Sequence, residues 1–192
     1  PEYYWAQFAA QAIGGATIPI YTDAMYSEIT YIVDHSDSTV VVGRDQEQVD
    51  KVLKVQEDGE LPKVKIIVYW DAKGLWNYDV PGLYSFDDVL QLGQKYGEEH
   101  PGIFEESVEK LKEDDLAFMM LICCKWNLYK GAMLSHKNLI FDSKCFAGVQ
   151  GWTQKDEYLS NMSPAWITEQ LIGAGGALLS GMTVNFPEEP ET

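Results

Sequence analysis

The 192-residue chain carries 30 acidic and 14 basic side chains, a formal charge of −16, with 46% hydrophobic and 12% aromatic residues. That is ample apolar surface for a packed core, and it excludes a disordered chain. The acidic balance excludes a surface that docks generally on DNA phosphates or anionic lipid, so no nucleic-acid partner is expected.

The length suits one domain or one large piece of a bigger one. Cys123, Cys124 and Cys145 are too few and too unevenly spaced for a disulfide framework, and no Cys or His spacing marks a metal site. They read as reduced cysteines of a cytoplasmic protein. The longest apolar run, Leu116 to Cys124, is about half of the roughly 18 residues needed to span a bilayer. There is no basic-then-apolar leader, and the first residue is Pro1, so the chain reads as part of something longer.

Residues 3–13 are Ala-rich and read as a helix stopped by Gly14-Gly15, followed by a short buried strand over Ala16 to Tyr21. Thr22-Asp23 caps the next expected helix, on which Ile29, Ile32 and Val33 recur at helical spacing. A β-branched strand over Ser38 to Val42 leads to a helix begun by Asp45, with Val49, Val52, Leu53 and Gln56 on it, and Gly59 ends it. Val64 to Tyr69 is the third strand. Strands alternating with helices predict parallel βαβ units, hence an α/β fold with a mostly parallel sheet flanked by helices.

The turn-rich stretch 70–84 reads as a surface loop, and Ser85-Phe86-Asp87-Asp88 caps a helix reaching about Tyr96. An acidic helix follows over Ile103 to Leu111. The continuous apolar run Leu116 to Cys124 suits a central parallel strand. Beyond an irregular segment and Gly131 to Leu134, a helix starts at Ser135 or His136. The remainder reads as strand Glu157 to Met162, helix 165–180, strand Met182 to Phe186 and a polar tail.

Chemistry concentrates where the apolar strand breaks into a loop, since open α/β sheets place ligands at the carboxyl ends of their strands. Lys130-Gly131 there offers a charge and an open backbone for phosphate, although alone it also reads as a solvated turn. His35, His100 and His136 read as structural. The runs Glu98-Glu99, Glu105-Glu106 and Glu113-Asp114-Asp115 read as solvated faces, so no catalytic residue and no metal ligand is assigned.

The segment Lys130-Gly131-Ala132-Met133-Leu134-Ser135-His136-Lys137-Asn138-Leu139 closely resembles the stretch after the phosphate loop of adenylate-forming (AMP-binding) enzymes. More narrowly, it resembles the long-chain fatty acid–CoA ligases. So do Pro1 to Ala10, Ile20 to Met25, Tyr31 to Asp37, Asp45 to Lys51, Tyr69-Trp70-Asp71 and Asn185 to Thr192, which together cover essentially the whole chain.

The resemblance implies residues 1–192 as part of a single AMP-binding domain, a partial amino-terminal domain without the small carboxyl-terminal domain. It implies a ligase that makes an acyl-adenylate from fatty acid and ATP, releases pyrophosphate and passes the acyl group to coenzyme A, with Mg²⁺ assisting. Such a full-length protein could associate peripherally with a membrane. By the same resemblance the nucleotide site is Cys123, Cys124, Lys125, Trp126, Asn127, Lys130 and Gly131, and the acyl-substrate side is Trp166 and Glu169. From their own residues alone, Trp166 packs at a helix start and Glu169 is a first-turn carboxylate favoured by the helix dipole.

The chain departs from the family where the phosphate loop should be. In place of Tyr-Thr-Ser-Gly-Thr-Thr-Gly-Leu-Pro-Lys-Gly stands Leu121-Ile122-Cys123-Cys124-Lys125-Trp126-Asn127-Leu128-Tyr129-Lys130-Gly131. Both loop glycines and the serine and threonine hydroxyls are gone, and Trp126 obstructs a backbone that must approach phosphate closely. Impaired nucleotide binding and an inactive chain are therefore expected. Two alternatives to a ligase fragment stand open: a non-catalytic homologue that binds acyl chains or a protein partner, and an adenylating enzyme for another carboxylate.

Overall fold

The computed structural model describes residues 1–122 and 130–187. The elements divide into two compact units, one chiefly Thr22–Glu106 and the other chiefly Tyr3–Tyr21 with Ser107–Thr192.

The Thr22–Glu106 unit is built on three parallel strands in the order β1 (Val40–Gly43), β2 (Ile66–Tyr69), β3 (Leu83–Ser85). α2 (Tyr26–His35) and α3 (Gln46–Glu57) pack together and bury Ile29, Ile32, Val33, Val49, Val52 and Val55. The helix spacing read from the sequence is correct for Val49 and Val52, but Val55, not Leu53, completes the buried stripe. Asp45 caps α3 through its side chain, which accepts from the Gln48 amide at 3.2 Å. The second helix starts at Tyr26 behind Met25 and not at Thr22-Asp23, which form a turn. The stretch 70–84, expected as loop throughout, ends in β3, whose Leu83, Tyr84 and Ser85 lie parallel to Ile67, Val68 and Tyr69. Ser85 and Asp88 then form a reciprocal capping box for α4 (Phe86–Glu99). The acidic helix α5 (Ile103–Glu109) follows.

The other unit holds α1 (Glu2–Ala12), β4 (Leu116–Ile122), β5 (Lys130–Ser135), α6 (His136–Gln150) and the parallel pair β6 (Glu157–Leu159) with β7 (Thr183–Asn185). Between β6 and β7 three helical pieces run end to end: α7 (Ile167–Glu169), a π-helical stretch (Gln170–Gly176) and α8 (Ala177–Ser180). Ala117, Phe118, Met120 and Leu139 form a buried cluster with Leu134 and Leu171 packed on it.

The parallel-sheet α/β architecture is present, with three corrections. The strand pairs form three separate sheets among the described residues, and β4 pairs with β5 antiparallel. An apolar run reports burial on both faces but not the direction of its partner. The expected Ala16–Tyr21 strand reduces to one parallel bridge: the Thr17 amide donates to the Ala117 carbonyl at 3.1 Å, and its own carbonyl accepts from the Met119 amide at 2.9 Å.

Candidate functional site

β4 and β5 lie in register from Phe118 opposite Leu134 to Ile122 opposite Lys130, which puts Lys130 beside the carboxyl end of β4. The Lys130 side chain is exposed. Leu121 faces Gly131, and a side chain on Gly131 would collide with the Met119 sulfur. Cys123, Cys124, Lys125, Trp126 and Asn127 lie outside the described residues.

A triphosphate cradle needs several hydroxyls, bare backbone amides and cations. The sequence from Leu121 to Tyr129 supplies no glycine, serine or threonine, and the flank adds only Lys130 and Gly131. These residues do not fit the phosphates of ATP. Among the described residues, no cluster of His, Cys, Asp and Glu could hold a metal ion, and no helix is long and apolar enough to cross a membrane.

Ser135 opens α6 with a reciprocal capping box, accepting from the Asn138 amide at 3.3 Å while its own amide donates to Asn138 Oδ1 at 3.0 Å. The motif following Lys130 thus ends β5 and starts a helix within one residue. A side chain on α6, Ser143, is fully buried and donates to the Leu171 carbonyl at 3.0 Å, joining α6 to the π-helical stretch.

Trp166 and Glu169 sit at the start of α7, and their environments are opposite. Trp166 is the N-cap residue and is 55% exposed, whereas Glu169 and its neighbour Gln170 are 0% exposed. The Glu169 carboxylate accepts three hydroxyl hydrogen bonds: from Tyr4 at 2.6 Å and Ser160 at 2.5 Å on Oε1, and from Tyr158 at 2.6 Å on Oε2. Gln170 accepts from the Gln7 amide at 2.7 Å and donates to the Pro164 carbonyl at 2.8 Å and to the Tyr3 hydroxyl at 3.2 Å.

Two adjacent polar side chains thereby tie α1, the β6 strand and the turn before α7 into one buried network. Burial, reinforced by the neighbouring Glu169 carboxylate, pushes the Tyr4 and Tyr158 phenols well above their ordinary range, and burial does the same to Tyr3.

Gly173 belongs to this arrangement. A Cβ there would stand 2.5 Å from both Glu169 Oε1 and the Tyr4 hydroxyl, so only glycine leaves room for their hydrogen bond. Along the same helix runs an apolar groove of about 350 Å³, lined by Tyr4, Trp5, Phe8, Ala174, Leu178 and Phe186 among others. A larger hollow of about 470 Å³ in the other unit is lined partly by charged residues, Lys54, Asp58 and Glu60.

Sequence reasoning missed the network around Glu169. Its signal lay in two hydroxyl-bearing aromatics, Tyr3 and Tyr4, on an Ala-rich helix, and in a Glu-Gln pair opening an apolar one. Buried groups of that kind require partners.

The family model described as AMP-binding enzyme matches residues 1–192. Among curated relatives, the long-chain-fatty-acid–CoA ligase ACSBG2 of Xenopus laevis is 25% identical over 138 residues, 72% of this chain and 18% of that protein. Long-chain-fatty-acid–CoA ligase 1 of Cavia porcellus is 27% identical over 188 residues, 90% of this chain and 25% of that protein. The chain therefore spans about a quarter or less of the length of these relatives. In fold it is similar to the acyl-CoA synthetase of Brucella canis, with a TM-score of 0.69 at 18% identity, over 97% of this chain and 31% of that one.

Proposed function

The chain belongs to the AMP-binding enzyme family, and we propose that it forms part of a long-chain fatty acid–CoA ligase, contributing the fatty-acid side of that enzyme's large domain. The observation that carries this reading is the likeness to named long-chain fatty acid–CoA ligases over 72% and 90% of the chain. The turn Asn161 to Gln170 supports it, because it offers an exposed indole at Trp166 on a base locked by Glu169 and Gln170. In the same unit an open apolar groove of about 350 Å³ runs along Gly173 to Leu178, though Trp166 does not line it.

In such a ligase ATP and a fatty acid give an acyl-adenylate and pyrophosphate, and the coenzyme A thiol then takes the acyl group. ATP, Mg²⁺ and coenzyme A belong to the whole enzyme in this reading, as do a cytoplasmic location and peripheral membrane contact. Because residues 121–131 do not fit a triphosphate, no catalytic step is assigned to this chain.

A panel of acids tests the assignment. The chain is expected to bind palmitate and to ignore acetate and benzoate in calorimetric titration. A preference for short or aromatic acids would refute the fatty-acid reading and favour an adenylating enzyme for another carboxylate.

The sequence Cys123 to Asn127 also favours a second reading, a non-catalytic homologue that keeps the acyl-binding scaffold. Replacing Cys123-Cys124-Lys125-Trp126-Asn127 by Ser-Gly-Thr-Thr-Gly in the full-length protein separates the two. Pyrophosphate release with palmitate and ATP is expected to return for a ligase. Silence would favour the scaffold.

A further inference from the structure

The sequence of α4 is patterned like that of a core helix, yet its apolar face is open to solvent. At about 100° per residue, Val89, Leu90, Leu92, Gly93, Tyr96 and Gly97 share one arc of about 160°. Asp87, Asp88, Lys95, Glu98 and Glu99 occupy the opposite arc. Helices so patterned gain most of their stability by packing the apolar face away. No residue of α4 is buried, and Val89, Leu90, Leu92 and Tyr96 are 38%, 56%, 56% and 53% exposed.

The middle of the face is low. Gly93 and Gly97 lie one turn apart, and a side chain on either would meet nothing within 4 Å. Leu90 and Tyr96 flank them on the helix surface, which is the relief that seats the ridge of a second helix. The same two glycines lower the helix propensity of α4.

Charge selects the occupant. The polar arc carries four carboxylates against one lysine, and Glu105 and Glu106 open α5 just beyond. Two copies of α4 laid face to face would bring like-charged flanks together, and an anionic lipid surface would be repelled by the same carboxylates. A basic amphipathic helix is drawn in by them and covers the apolar arc.

We propose that the apolar face of α4 is a docking surface for a basic amphipathic helix of a partner protein. The apolar side of that helix lies over Gly93 and Gly97 between Leu90 and Tyr96, and its cations lie beside Asp87, Glu98 and Glu99.

The probe is a fluorescein-labelled peptide of leucine and lysine at helical spacing, about as long as α4, titrated with the chain by fluorescence anisotropy. Saturable binding is expected. Leu90→Ser with Tyr96→Ser removes two large apolar contacts and is expected to weaken it about tenfold or more. Phe141→Ser with Val149→Ser, at exposed apolar residues of α6, is expected to leave it unchanged. Glu98→Lys with Glu99→Lys is expected to weaken it, as is added salt. Amide hydrogen exchange over residues 86–99 is expected to slow when the peptide binds. Gly93→Gln serves if the double serine variant fails to fold: it favours the helix, fills the low middle of the face and is expected to lose affinity.

No saturable binding, or equal affinity in wild type and in the Leu90, Tyr96 and Gly93 variants, overturns the proposal. So does exchange that slows only outside residues 86–99. Three other occupants would show themselves in the same samples. A sedimenting dimer that the Leu90 and Tyr96 substitutions dissolve makes a second copy the occupant. Binding to vesicles of phosphatidylcholine and phosphatidylglycerol that those substitutions abolish makes it a lipid surface. Amides of α4 already protected in the full-length protein without peptide make it another part of that protein. Each of these three results overturns docking by a partner's helix.

Discussion

Raising the pH above 10 is expected to weaken the unit that contains Glu169, and the slope of that loss follows from buried phenols. Tyr4 is 7% exposed, and burial followed by the Glu169 carboxylate raises its phenol well above the ordinary 10.0. A folded-state value above the unfolded one means that the unfolded chain releases its proton first. The stability from Tyr4 is therefore complete below pH 10 and drains away as the pH climbs toward the folded value.

Over that interval one such group costs about 1.4 kcal/mol per pH unit, so about 2.7 kcal/mol between pH 10 and 12. Tyr3 and Tyr158, both partly exposed, shift in the same direction and add smaller, solvent-screened shares. Against a typical domain stability of about 5–15 kcal/mol, this is a visible fraction.

The assay is urea unfolding by circular dichroism at pH 9, 10, 11 and 12, with tyrosinate absorbance followed on the same samples. Tyr4→Phe is expected to lower stability at pH 7 by about 1.5–3 kcal/mol, the scale of a hydrogen bond to a charged group. The same variant should flatten the alkaline slope by about 1.4 kcal/mol per pH unit. A Tyr4→Phe slope equal to wild type would refute the reasoning, because the phenol would then titrate alike in both states.

Two further outcomes follow from the packing of the same unit. Phe118, 1% exposed within the Ala117, Met120 and Leu139 cluster, leaves a cavity when replaced by alanine, and Phe118→Ala is expected to cost about 3–5 kcal/mol. The check is a lower urea midpoint with an unchanged m value. Gly173→Ala gains about 1 kcal/mol of helix propensity but forces a Cβ into the Tyr4–Glu169 hydrogen bond, an overpacking cost of about 1–3 kcal/mol. A net loss measured by thermal melting is expected, and a more stable protein would show the network to be looser than drawn.

Local chemistry was legible in this chain and distant pairing was not. Asp45, Ser85 and Ser135 were readable as helix starts because each completes a hydrogen bond to an amide three residues on. The buried stripe of α2 was readable because Ile29, Ile32 and Val33 repeat at the period of the helix. β3 was not readable: three residues in a turn-rich stretch become a strand only through Ile67–Tyr69, far back in the chain. The antiparallel partner of β4 was hidden for the same reason, since Leu116 to Ile122 reads alike beside a parallel or an antiparallel neighbour.

The candidate site divides along the same line, and the division bears on function. The departure at Cys123 to Asn127 is visible residue by residue, because a phosphate loop is defined by local composition. The network around Glu169 joins residues 165, 11 and 9 positions apart, so no local pattern could announce it. A buried carboxylate is intolerant of loss, since stripping one partner leaves a charge or a hydroxyl unsatisfied at a cost of several kcal/mol. The Glu169 carboxylate has three hydroxyl donors, whereas residues 123–127 carry none of the glycines and hydroxyls of a phosphate loop. On the proposed fatty-acid reading, acyl binding and adenylation are expected to separate in this protein.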